Sequence, residues 1–259
     1  MKYRLLIILI TCHLSLITCM AQVGDHRSEF AVGVNGGYVM STVGFLPKVP
    51  QDMHKGMTGG VTLRYTSEKY FNSICAIVAE VNYAQMGWKE RILTLQDEPV
   101  INQETGQAEE YQRHLDYIQI PIFARLGWGR ERRGLQAYVQ AGPQIGFCIK
   151  ESTEANFDLH NPNTWARTSL VSSSLENASN MYFMPVEKKF DYGIAVGVGA
   201  EFSHTKVGHF LLEGRYYYGL GNIYGSTKRD YFSISNYSTF YVKMSYLFDI
   251  SKTKNTKIK

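Results

Sequence analysis

Beyond residue 21 the chain has no run of 18 or more apolar residues, so no transmembrane helix can be drawn through it. Cysteine is scarce. Of the four, Cys12 and Cys19 lie in the first 21 residues, which leaves Cys75 and Cys148 in no CxxC or metal-like spacing. They read as two small buried apolar residues, with a pairing between them still open. The histidines outside the first 21 residues, His26, His54, His114, His160, His204 and His209, also lack the spacing of a metal site. Charged residues make up only 19% against 44% hydrophobic, which excludes a disordered chain. Helical periodicity is missing after the glycine groups Gly33, Gly36, Gly37 and Gly193, Gly197, Gly199. They are therefore not phosphate-cradling loops but lumen glycines of curved strands.

Aromatic residues and glycine are abundant instead, with 18 Tyr, 13 Phe and 23 Gly in 259 residues, a mixture that favours strands and tight turns. Residues 1–21 combine a basic start (Lys2, Arg4), an apolar stretch and the small ending Cys19-Met20-Ala21, the pattern of a secretory signal peptide cut after Ala21. The weaker alternatives are a membrane-anchoring helix, which His13 interrupts, and lipidation at Cys19, for which Thr18 is a poor neighbour. The formal charge of +4 invites a nucleic-acid reading. Once the two cations of the leader and the four lysines of the tail 251–259 are set aside, residues 22–250 stand at −2, and nothing there argues for nucleic acid.

Eight segments alternate with period two: 30–40, 56–66, 73–87, 112–126, 134–149, 190–203, 208–219 and 237–250. In the last, Phe240, Val242, Met244, Tyr246, Phe248 and Ile250 share one face, and Thr239, Tyr241, Lys243, Ser245 and Asp249 the other. Such alternation fits a soluble barrel with a greasy interior as well as a membrane barrel with a greasy exterior. Connection lengths separate the two. They run long (41–55), short (67–72), long (88–111), short (127–133), long (150–189), short (204–207) and long (220–236), the asymmetry of an even-stranded outer-membrane barrel with short periplasmic turns. The expected fold is an all-β, eight-stranded antiparallel up-and-down barrel over 22–250 with both termini in the periplasm. Tyr38, Tyr65, Tyr83, Trp88, Trp128, Tyr192, Tyr216, Tyr218, Tyr246 and Phe248 fall near the expected membrane boundaries.

The inward positions then hold Arg64, Arg125, Arg215 and Lys243 against Glu80, Asp191, Glu201, Glu213 and Asp249, a nearly balanced set expected to pair within the lumen. An eight-stranded barrel leaves room for little beyond its own side chains, which disfavours a wide pore. Ser203-His204 suggests the hydrolase pair of a lipid-modifying barrel, but it falls in a turn with no orienting acid nearby in sequence. No catalytic residue, metal or cofactor is expected.

Several stretches resemble the PorT-like outer-membrane β-barrel proteins of the Bacteroidetes group. They are Ala21-Gln22, Ala79-Glu80-Val81-Asn82-Tyr83-Ala84-Gln85-Met86-Gly87, the more specific Leu115-Asp116-Tyr117-Ile118-Gln119-Ile120-Pro121, Ala141-Gly142-Pro143 and the aromatic final strand. The resemblance covers most of 30–250 and implies an eight-stranded outer-membrane barrel, with some members looking like accessories of protein secretion. One departure is the basic tail that follows Phe248, where many such barrels end on an aromatic residue. The expected protein is a monomeric, non-enzymatic structural, adhesion or accessory barrel, set in outer-membrane lipid and working with other envelope or secretion proteins. Its specificity is placed in the outer loops, above all 150–189. A narrow porin or small-solute transporter and a lipid-modifying enzyme are the alternatives.

Overall fold

The computed structural model describes residues 25–70, 73–94, 96–102, 105–130, 133–160, 182–225 and 232–251, with backbone alone for 25–28 and 68–70. The expected signal peptide, residues 252–259 of the tail and residues 161–181 of the longest loop lie outside them. Eight long strands run in chain order: β1 (Asp25–Leu46), β3 (His54–Tyr70), β4 (Ser73–Arg91), β5 (Glu110–Gly129), β6 (Gly134–Ala155), β7 (Phe190–His204), β8 (Gly208–Gly219) and β9 (Ile234–Ser251). A two-residue piece, β2 (Gln51–Asp52), pairs with the outer end of β4. Each long strand pairs antiparallel with the next, and β9 returns to β1, with Val34 opposite Tyr246 and Tyr38 opposite Val242. The ring is closed and no long strand has a free edge, as spanning hydrocarbon requires.

Alternation decides which face looks out. Along β7 the exposed residues Phe190, Tyr192, Ile194, Val196, Val198 and Phe202 alternate with buried Asp191, Ala195 and Glu201. Around the barrel, Leu135 and Met244 are 65% and 68% exposed while Arg125 and Lys243 are 4% and 1% exposed. Apolar side chains outside and charges inside invert the soluble arrangement and match a lipid-embedded barrel. Cross-strand aromatic pairs rim both edges of the apolar band. Phe210 and Tyr246 lie 4.9 Å apart at the short-turn end, and Tyr216–Phe240 (4.8 Å) and Phe147–Phe190 (5.0 Å) lie at the other.

Four expectations change. The strands run on beyond the alternating segments at their outer ends, where β4 reaches Arg91, β5 begins at Glu110 and β6 reaches Ala155. Above the lipid neither face is uniformly apolar, so ladder hydrogen bonds continue where the period-two signal fades. Trp88 is not an interface aromatic, since it shares the lumen face of β4 with Glu80 and is only 2% exposed. Gly36, between exposed Val34 and Tyr38, lies on the lipid face. Both cysteines are free thiols; Cys148 is buried as expected, but Cys75 is only half-buried because its position in β4 turns it to the lipid side near the short-turn end.

The closing seam constrains sequence tightly. A Cβ built on Gly33 would meet the Tyr246 carbonyl oxygen at 1.9 Å and the Leu247 Cα at 2.7 Å, so any side chain there drives β1 off β9. Gly214, with nothing within 4 Å, carries no such constraint. Gly33→Val is expected to abolish heat-modifiable gel migration and Gly214→Ala to preserve it. A Gly33→Val chain that migrated like the parent would sink this account of the seam.

Candidate functional site

Because consecutive strand residues face opposite sides, polar positions on non-adjacent strands converge in the lumen. They do so in two charge clusters. Nearer the short turns, Glu201 on β7 accepts from Arg64 on β3 at 2.7 Å, from Arg125 on β5 at 2.5 Å and from Nδ1 of His209 on β8 at 2.7 Å. The other ring nitrogen of His209 lies 2.9 Å from Asp249 on β9. One layer further in, Arg215 on β8 holds both oxygens of Glu80 on β4 at 2.9 Å, and Lys243 on β9 reaches the same carboxylate at 2.7 Å. The Nε of Arg215 bonds Glu213 at 2.7 Å, and Glu213 also accepts from Gln140 and Tyr138. The Arg125 guanidinium lies 3.4 Å from the centre of the Tyr138 ring and that of Arg215 4.4 Å from the centre of the Phe123 ring.

All nine charged residues expected inside thus face the lumen, and eight of them fall into these two clusters. Asp191 stands apart, accepting from the Tyr217 hydroxyl at 2.7 Å. Counted together with a protonated His209, these nine residues give five cations, His209, Arg64, Arg125, Arg215 and Lys243, against Glu80, Glu201, Glu213, Asp191 and Asp249. Neutral polar groups extend the network: Asn35 on β1 donates to Asn82 at 2.9 Å and to Thr62 at 2.8 Å, and Asn82 donates to Glu80 at 2.8 Å.

Above these layers the lumen turns aromatic. Phe45 packs on Trp88 (5.4 Å) and Phe232 (4.5 Å), and Tyr111 on Tyr182 (4.5 Å). Val186, Ile223, Tyr224 and Phe232, from the segments that follow β6 and β8, are buried over the outer mouth. Arg113 ties this cap to the wall, donating to the Met184 carbonyl at 2.5 Å and pairing with Glu151. Paired charge fills the lumen from below and aromatic rings close it from above.

Ser203 meets a histidine and an acid that sequence order conceals. His204 follows it in the strand and so faces the other way. The Ser203 hydroxyl instead lies 2.9 Å from Nδ1 of His209, whose Nε2 faces Asp249. This superficially reproduces a nucleophile–base–acid array. Its hydrogen bonds do not suit general-base chemistry, because Nδ1 also faces the Glu201 carboxylate, so both ring nitrogens point at acceptors and both must carry a proton. An imidazolium cannot take the serine proton, and Ser203 is fully buried.

Near the outer end, above the apolar band, His54 on β3 crosses the face of Gly87 on β4 and places Nε2 2.8 Å from Nδ1 of His114 on β5. Gly87 permits the crossing, since a Cβ there would lie 3.2 Å from the His54 ring and 1.9 Å from the Arg113 carbonyl oxygen. Burial, then the adjacent His114, holds His54 down to about 4. Among the described residues no group of three or more His, Cys, Asp or Glu is placed to hold a metal ion.

Two of the stretches that carry the resemblance to PorT-like proteins, 79–87 and 115–121, are partners in register, with Asn82 opposite Gln119, Tyr83 opposite Ile118 and Ala84 opposite Tyr117. A family model described as "Outer membrane protein beta-barrel domain" matches residues 20–225. No curated protein matches the chain. Among solved structures, Neisserial surface protein A is 10% identical with a TM-score of 0.42, covering 86% of this chain and 100% of its own. The outer membrane protein OprG of Pseudomonas aeruginosa is 11% identical with a TM-score of 0.41, covering 87% and 98%. Ail, the attachment invasion locus protein of Yersinia pestis, solved with the heparin analogue sucrose octasulfate, is 12% identical with a TM-score of 0.33, covering 85% and 99%.

Removing one partner from a buried ion cluster leaves uncompensated charge. Glu201→Ala, which strands Arg64, Arg125 and His209 together, is expected to cost about 3–5 kcal/mol in denaturant unfolding from lipid vesicles, while Ser203→Ala costs about 1 kcal/mol or less. The neutral His54 makes a second expectation. An unfolded chain takes up a proton at this residue near pH 6.5 that the folded chain refuses until about 4. Its contribution is therefore full above 6.5, declines as pH falls toward 4 and stays lost below. The stability difference between parent and His54→Gln, followed by unfolding across that window, should shrink with acidification.

Proposed function

Because the chain belongs to the outer membrane protein beta-barrel domain family, we propose that it is a non-conducting, non-enzymatic barrel that displays its outer loops as an adhesion or accessory surface. The observation that carries this reading is the occupied lumen, in which two layers of paired charges lie under an aromatic cap among the described residues. Such a network fixes a rigid wall whose outer end carries the connection 92–109 and the long loop between β6 and β7. The specificity lies in those segments, since loops on a rigid scaffold carry recognition. The PorT-like stretches, two of which pair on β4 and β5, favour an accessory role beside other envelope or secretion proteins. The doubly bonded His209 argues against lipid modification through Ser203, which also lies at the periplasmic end, away from the outer leaflet.

Purified barrel in planar bilayers should give no steady open-channel current, and lipid A mass spectra should be identical from cells with and without the protein. A sustained single-channel conductance would replace this reading with the narrow porin; a mass shift in lipid A that Ser203→Ala abolishes would replace it with the enzyme.

A further inference from the structure

The His54–His114 edge supports an inference independent of the loops. Two imidazoles from non-adjacent strands, β3 and β5, meet across Gly87 with ring nitrogens 2.8 Å apart. The remaining nitrogen of each ring, Nδ1 of His54 and Nε2 of His114, is enclosed and makes no hydrogen bond. Glu154 on β6 places a carboxylate oxygen 3.3 Å from that His114 Nε2. This favours a proton there and leaves Nδ1 as a lone pair, the carboxylate–imidazole arrangement seen around metal-bound histidines. The His114 side chain is 30% exposed whereas His54 is buried, so an ion would approach from the His114 side.

Imidazole nitrogens bind first-row divalent ions at about 2.0–2.1 Å, so two cis ligands at 90° lie about 2.9 Å apart and two at the tetrahedral angle about 3.3 Å apart. As the structure stands, these two nitrogens face each other at 2.8 Å across a hydrogen bond, so a shared ion requires the rings to turn. We propose that His54 Nε2 and His114 Nδ1 form a two-imidazole site at the outer ends of β3 and β5 for a tetragonal divalent cation, copper(II) foremost, with water in the positions that face the His114 side. Binding replaces the N–H···N bond: both rings turn until their lone pairs converge on the ion, and the shared proton moves to Nδ1 of His54, with no net change in charge on either ring. Copper(II) stands highest in the order of affinities for such ligands.

The test uses the full barrel without a histidine tag, reconstituted in lipid nanodiscs, with copper(II) as the probe. Titration calorimetry should show one saturable equivalent, and electron paramagnetic resonance should show two equatorial nitrogen donors. His114→Ala should weaken binding at least tenfold, with His54→Gln as a second variant that keeps a hydrogen-bonding group over Gly87, whereas His160→Ala leaves it unchanged. Heat-modifiable migration confirms that each variant is folded. Absence of a saturable equivalent, a spectrum without two nitrogen donors, or binding that survives both substitutions would overturn the proposal.

Discussion

Every backbone N–H and C=O that crosses hydrocarbon must find its partner within the protein, because lipid offers none. The pairing of β9 with β1 satisfies this requirement and sets the interior dimension. At eight strands the enclosed space is about the size of its own side chains. Charges that alternation directs inward cannot retreat to bulk water, so each must meet an opposite charge or a polar partner across the lumen. Closure is thus the reason Glu201 gathers cations from β3, β5 and β8, and Glu80 gathers them from β8 and β9.

The layers divide the work. The lower clusters span the barrel from wall to wall and join strands far apart in sequence, such as β3 to β7 and β4 to β8, so that the cylinder resists flattening. Above the bilayer the constraint relaxes, the lumen fills with rings, and chain segments returning over the mouth bury Tyr182, Tyr224 and Phe232. The outer end is accordingly a small hydrophobic core of the soluble kind set on a barrel of inverted polarity. That change explains why the strands outrun their alternating stretches and why Trp88 faces inward. Its indole donates to Glu90 at 2.9 Å instead of meeting headgroups.

The alternating pattern of residues 190–203 or 237–250 suffices to assign each side chain to lipid or lumen, and the rhythm of short and long connections suffices to choose membrane over water. The face of the nine charges named from it was therefore readable, while Arg113 and Glu90, buried on the lumen faces of β5 and β4 near the outer end, went unnamed. The partners of the nine were not readable: nothing in the chain ties Arg64 to Glu201, 137 positions away, or separates Asp191, bonded to a tyrosine, from the carboxylates that hold cations. Histidines show the limit most clearly. Ser203 next to His204 looks like a pair and cannot be one, whereas Ser203 with His209, and His54 with His114, look unrelated and are in contact.

By itself the sequence determined strand number, face and the polarity of inside and out, because period-two alternation is a local property of an extended backbone. Only the closed tertiary structure decided which charges meet, where the lumen is capped and which histidines touch. Those depend on the stagger between strands around a ring, and that stagger is set by all eight pairings together.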